Sequence, residues 1–205
     1  MNLEQPVNRK MRKYGQVLDG ACKIFLRDGF EGASVDDIAR AAGVSKATLY
    51  NYFSDKREMF TEMASAQCEQ QAEAMLQEID QGAPAAEVME RAARGLLQII
   101  LSEFGSKMFR ICVAEADRFP ELGQQFYETG PAMGQRHLAG FLQLACDRGE
   151  LKIDDVNMAA AQFQELCKAD IFMRMVFGVS TEFTQDEIDR VVREAVATFM
   201  ARYGA

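Results

Sequence analysis

Side chains capable of covalent or metal chemistry are few and widely separated in this chain. Cys22, Cys68, Cys112, Cys146 and Cys167 are spaced by 46, 44, 34 and 21 positions, which fits no thiolate metal motif. Scattered thiols in odd number are read as small buried hydrophobes. His137 is the one histidine, so a hydrolytic triad or an imidazole metal site would rest on a single ring. No GxSxG, HExxH, GxGxxG or GxxxxGK[ST] accompanies it. The expectation is no catalytic residue, no metal and no cofactor. A different chemistry is concentrated between residues 45 and 52: Ser45, Lys46, Ala47, Thr48, Tyr50, Asn51 and Tyr52 combine donors, a cation and methyl groups within two helical turns. That is a vocabulary of recognition. Lys46 can reach a guanine edge or a phosphate, Ala47 and Thr48 can pack on a thymine methyl, and Tyr50, Asn51 and Tyr52 can donate to phosphates or read bases.

The elements that must hold these side chains are legible around them. Ser34 precedes Val35-Asp36-Asp37, an N-cap followed by acidic residues where the helix dipole favours them, so a short helix is expected over 35–42. Gly43 breaks it, Ser45 caps the next, and a third helix is expected to about Phe53. Ile38, Val44 and Leu49 supply the apolar positions that lock the pair, and Ala39 stands where a larger side chain would push the helices apart. The spacing is that of a helix-turn-helix, whose second helix enters the major groove of DNA. An ordinary αα-hairpin has the same glycine between its helices, and core packing is the alternative for Leu49 and Phe53 and an even one for Tyr52.

Elsewhere the apolar period is helical almost throughout. Leu18, Ala21, Cys22, Phe25 and Leu26 define a first helix over 8–28, stopped at Gly29. Ser54 is expected to cap a long fourth helix with Phe60, Met63, Ala64, Cys68, Ala72, Met75, Leu76 and Ile79 on one face. A fifth is expected over 85–101, a sixth after Gly105 to Pro120, and a seventh over 133–147. An eighth is capped by Asp154 or Asp155, and a ninth opens with Thr184 and Glu187 as a capping box. No period-2 run competes. The fold class is all-α with about nine helices, three of them in an N-terminal domain over 1–55 and the rest in a helical C-terminal domain over 56–205.

Net charge is −8 over 205 residues, yet residues 1–60 carry +2 and the remainder −10. One part can meet a polyanion while the other stays acidic. Arg9, Lys10, Arg12 and Lys13 form a basic run ahead of the core, either a solvated segment or an arm touching DNA. Arg94, Gln98 and Arg174 interrupt the longest apolar runs, so no membrane span is expected. Charges occupy the N-terminus where an export signal has its apolar stretch, and a cytoplasmic location is expected. The seam Ile188, Val191, Val192, Ala195 and Phe199, with the apolar run 171–177, is more surface than an acidic monomer leaves wet, which predicts a two-fold interface between copies. The 12 Met and 14 Phe suit a pocket for an apolar or aromatic small molecule, or simply a core.

The run GFEGASVDDIARAAGVSKATLYNYFSDKREMF resembles the DNA-binding region of the TetR/AcrR family of transcriptional regulators. The likeness lies in Gly29-Phe30, Ser34, Ile38-Ala39, Gly43-Val44-Ser45, Leu49-Tyr50, Tyr52-Phe53 and Lys56. It implies a regulator, expected to be a repressor, that binds a palindromic double-stranded DNA operator as a homodimer and is released by a small-molecule effector, with a helix-turn-helix DNA-binding domain over 1–55 and a ligand-binding and dimerisation domain over 56–205. It also implies phosphate contacts at Ser34, Arg40 and Lys56. In the family's use of its fourth to eighth helices, it implies effector contacts at Met63, Phe109, Cys112, Phe126, Met133, His137, Phe141, Phe163 and Cys167. Two other readings fit the residues alone: a helical ligand-binding protein or enzyme that retains the hairpin, and a regulator switched by cysteine oxidation.

Overall fold

A computed structural model describes residues 6–77, 80 and 82–205, with the backbone alone at 6–10 and 76. The side chains of Arg9, Lys10 and Leu76, and Ile79 as a whole, lie outside the described residues. Eleven helices are present among these: α1 (Pro6–Gly32), α2 (Val35–Ala42), α3 (Lys46–Tyr50), α4 (Lys56–Gln77), α5 (Ala85–Leu101), α6 (Glu103–Glu115), α7 (Pro120–Thr129), α8 (Pro131–Asp147), α9 (Val156–Cys167), α10 (Ile171–Val176) and α11 (Gln185–Tyr203). No strand occurs among the described residues, and no helix there is long and apolar enough to cross a membrane. The count exceeds nine because 120–129 is helical in its own right, and because the chain breaks at Asp170 between α9 and α10. Asp170 takes φ 64°, a left-handed value unusual for a residue with a β-carbon.

The chain divides into two compact units: one is the chain up to Cys68 with Lys107–Tyr127, the other Glu69–Ser106 with Glu128–Ala205. In the first, α1 buries Val17, Ala21 and Phe25, α2 buries Ile38, α3 buries Leu49, and α4 buries Phe60 and Met63. The rings of Phe25 and Phe30 meet Phe60 edge-on, and Phe119 meets Phe30. Such pairs add about 0.5–1.5 kcal/mol to area burial. Gly29 interrupts α1 at φ 74°, ψ −179°, a region open essentially to glycine, so the expected stop is a kink followed by a final turn.

The caps largely follow the sequence. Ser34 accepts the Asp37 N–H and Ser45 the Thr48 N–H. Asp155 accepts from Asn157 and Met158, and the Thr184–Glu187 box is closed in both directions. The fourth helix differs: Asp55 accepts the N–H groups of Arg57 and Glu58, at 2.8 and 2.9 Å, and is the cap expected of Ser54. Ser54 instead donates its hydroxyl and N–H to the Glu58 carboxylate.

In the second unit α5, α8, α9 and α11 enclose a core that includes Met89, Leu97, Leu142, Phe163, Val192 and Phe199. The sixth helix begins at Glu103, not after Gly105. Gly105 lies inside α6, where a β-carbon would stand 2.1 Å from the Ile99 carbonyl oxygen, and so permits the tight turn out of α5. The α11 seam also departs from expectation: Val191, Val192, Ala195 and Phe199 are buried inside the protomer. Periodicity reports that a face is covered, not by what, and here the cover is the chain's own α5 and α9 helices.

Candidate DNA-reading site

α2 and α3 are joined by a turn that only a few backbone conformations close. Gly43 takes φ 64°, ψ 33°, and Val44 donates to the Ala39 carbonyl at 3.0 Å. Leu49 and Phe53 are buried as the packing alternative requires. Tyr52 is half-buried with its ring edge-on to Tyr14 at 5.7 Å, and Tyr14 stacks on Phe53 at 5.5 Å. Tyr52 therefore helps fasten the end of α3 to α1. Tyr14 donates its hydroxyl to Glu62, and burial first, then that carboxylate, pushes its pKa up to about 12.

What α3 leaves exposed is a short ridge: Ser45, Lys46, Ala47, Tyr50 and Asn51. Tyr50 is 50% exposed and is the large aromatic of this ridge. Thr48 is half-buried and shares a 2.8 Å hydroxyl contact with Ser45, so both hydroxyls serve the cap. The Lys46 ammonium lies 3.1 and 3.2 Å from the two carboxylate oxygens of Asp36 on α2. Arg40 pairs with Asp37 at 2.6 Å. The Asp37 carboxyl is held below the usual range, first by the Ser34 hydroxyl and then by Arg40.

Two residues expected at phosphates have internal work. Ser34 caps α2 and donates to Asp37 at 2.7 Å. Lys56, half-buried, donates to the carbonyls of Phe30, Glu31 and Ala33 at 2.8, 3.3 and 3.2 Å, and its ammonium stands 4.7 Å over the Phe30 ring. The three N–H bonds of an ammonium are thereby matched by three backbone acceptors at the α1–α2 link. Nothing local in the sequence signals this, since the acceptors lie more than twenty residues upstream. Nor does the sequence signal the contact of Asp36 with Lys46, whose positions lie ten apart across the turn.

The side chains expected at an effector fall into both units. In the first, Met63 and Cys112 are buried and Phe109 and Phe126 half-buried; in the second, Phe141, Phe163 and Cys167 are buried and Met133 is half-buried. Phe141, Phe163 and Cys167 belong to the core of the second unit. His137 is exposed, beside the buried face formed by Ala139, Leu142 and Ala145. Burial drives the thiols of Cys112 and Cys167 up to about 12. Among the described residues no group of His, Cys, Asp and Glu could hold a metal ion.

The family described as bacterial regulatory proteins, tetR family, matches residues 17–63, and the C-terminal domain of AefR-like transcriptional repressors matches residues 87–205. A TetR-family transcriptional regulator of Mesorhizobium loti has a similar structure, with a TM-score of 0.88 and 28% identity across 96% of this chain and 99% of that one. The flavonoid-responsive regulator FrrA is 34% identical, with a TM-score of 0.76, over 94% of this chain and 97% of that one. The fatty acid metabolism regulator protein of Bacillus subtilis is 31% identical over 81 residues, 40% of this chain and 42% of that protein. The chain thus matches less than half the length of that curated relative.

Proposed function

This chain belongs to the TetR family of bacterial transcriptional regulators and is a DNA-binding protein rather than an enzyme, and on that premise we propose that it is a repressor. It binds a palindromic operator as a homodimer and leaves it when a small molecule enters the C-terminal helical domain. The observation that carries the reading is the exposed ridge of α3, Lys46, Ala47, Tyr50 and Asn51, presented by a hairpin that turns Ile38 and Leu49 into the core. A ridge of that composition at one end of a short helix fits a major groove.

Dimerisation is supported by what the protomer leaves uncovered. Phe177 is 73% and Val179 74% exposed at the end of α10, with Met158 and Met173 exposed on α9 and α10. These, not the α11 seam, are the apolar side chains a second copy would cover. The effector is read as apolar or aromatic: the chain holds 12 Met and 14 Phe, and FrrA is by name responsive to a flavonoid. α4 runs unbroken from Lys56 to Gln77, so a ligand that favours one tilt of α4 shifts the element that fastens the α1–α2 link. A hundredfold change in DNA affinity needs only about 3 kcal/mol of differential binding. The thiol-switched reading loses ground at Cys112 and Cys167, where burial keeps the reactive thiolate scarce.

The test is a thermal-shift screen of diverse small molecules followed by operator competition. An aromatic or apolar compound that raises the melting temperature and displaces DNA supports the reading. A compound that stabilises strongly yet leaves DNA affinity unchanged, or a preference for sugar phosphates, overturns it.

A further inference from the structure

We infer that Asp36 is a specificity-determining residue: it holds the Lys46 ammonium in the DNA-free protein and so suppresses binding to DNA of arbitrary sequence. The inference rests on the reading of α3 as the DNA-contacting helix.

The geometry is a cation placed between the two oxygens of one carboxylate. Lys46 is the first residue of α3, Asp36 the second of α2, and the contact bridges the turn at 3.1 and 3.2 Å. Both side chains are open to water, 49% and 67% exposed, so the pair itself contributes little to the fold. Its consequence lies in what the pair does when a polyanion arrives. A phosphate approaching Lys46 must displace or share a carboxylate already there, and it meets that carboxylate's charge at close range. A lysine without such a partner binds any backbone phosphate, because phosphates are the same in every sequence. With Asp36 in place, Lys46 leaves only where the DNA offers it something better, such as the paired acceptors of a guanine edge. Asp37 does not share the role: its carboxylate is occupied by Ser34 and Arg40 within its own helix. Asp36 also lies in the first turn of α2, where a carboxylate suits the helix dipole, so it costs the fold nothing to keep it.

The experiment measures the affinity of the full chain for a random-sequence duplex across a series of salt concentrations, for wild type, Asp36→Asn, Lys46→Ala and the double variant. Asparagine keeps the size and polarity of the side chain, and circular dichroism melting confirms that each variant folds. Freeing one cation per protomer, two in the homodimer, steepens the slope of log affinity against log salt by about 1.8, roughly a sixtyfold gain at about 0.1 M. Asp36→Asn is expected to show that gain and steeper slope, and most of it is expected to vanish in the Lys46→Ala background. An unchanged random-duplex affinity in Asp36→Asn overturns the inference, as does an equal gain with Lys46 removed, which would mean a diffuse charge effect. Because the probe needs no operator, these outcomes are separate from failure of the functional reading. That failure would appear as wild-type protein with no preferred sequence in any pool of DNA.

Discussion

Gly20 on α1 lies directly against Ala42 on α2: a β-carbon at position 20 would stand 2.7 Å from the Ala42 nitrogen and 2.8 Å from its β-carbon. The obstruction is backbone as well as methyl, so no rotamer change relieves it. The last turn of α2, and with it the turn into α3, is therefore set by a glycine more than twenty residues upstream. Gly20→Ala is expected to lower stability by about 1–3 kcal/mol, as overpacking does, and to weaken DNA binding through displacement of α2. Thermal melting with anisotropy on one duplex checks both; an unchanged melting temperature would show that α1 and α2 can separate freely.

Gly43 presents the opposite case. A β-carbon there meets nothing within 4 Å, and only the positive φ demands glycine. Gly43→Ala is expected to cost about 1–2 kcal/mol, the penalty of left-handed backbone for an L-residue, whereas Gly43→Asn should cost less. Equal losses for the two variants in chemical denaturation would point to sterics rather than backbone strain.

Lys56→Met keeps the aliphatic stem and removes the ammonium that closes three carbonyls at the α1–α2 link. A loss of about 1.5–3 kcal/mol is expected for hydrogen bonds to a charged group. Hydrogen exchange should rise at Asp37 and Ile38, whose N–H groups bond Ser34, before it rises in the core of α1. If the salt slope of DNA binding falls by a full phosphate contact while stability is untouched, Lys56 is a DNA ligand after all.

Acid should loosen the caps. The carboxyls of Glu58 and Glu187 are held below the usual range, Glu58 first by the Ser54 hydroxyl and Glu187 first by the Thr184 N–H. A lowered folded pKa means the unfolded chain binds protons more tightly, so this stability is full above about pH 4.5 and is lost as pH falls through the lowered values. Glu58→Gln is expected to be less stable than wild type near neutrality and to lose less on acidification. A melting curve that falls as steeply in the variant would show that Glu58 contributes nothing to the acid response.

The helix-turn-helix was legible because each of its boundaries is chemical. Ser34, Gly43 and Ser45 set the limits of α2 and the start of α3, and residues 35–42 are helical as read. Thr184 with Glu187 announced α11 for the same reason. What stayed hidden depends on partners distant in sequence. The Gly20–Ala42 approach, the carbonyls around Lys56 and the hold of Asp36 on Lys46 all cross from one helix to another. The burial of the α11 seam within its own protomer was hidden too, since Val192 and Phe199 have the same spacing whichever surface covers them. Asp170 has no local signal for its left-handed backbone, so nothing in the sequence marks the break between α9 and α10.

In the proposed function the α3 ridge reads DNA as one half of a two-fold pair. Selecting bound duplexes from a random pool, then measuring Tyr50→Ala and Lys46→Ala on the recovered sequence, tests it most directly. The expected result is an inverted repeat with half-sites spaced by whole turns of the double helix, and loss of specific binding in both variants, with stability changed by no more than ~1 kcal/mol as for exposed sites. A pool that yields no enriched sequence, or variants that bind the recovered duplex as tightly as wild type, would contradict it.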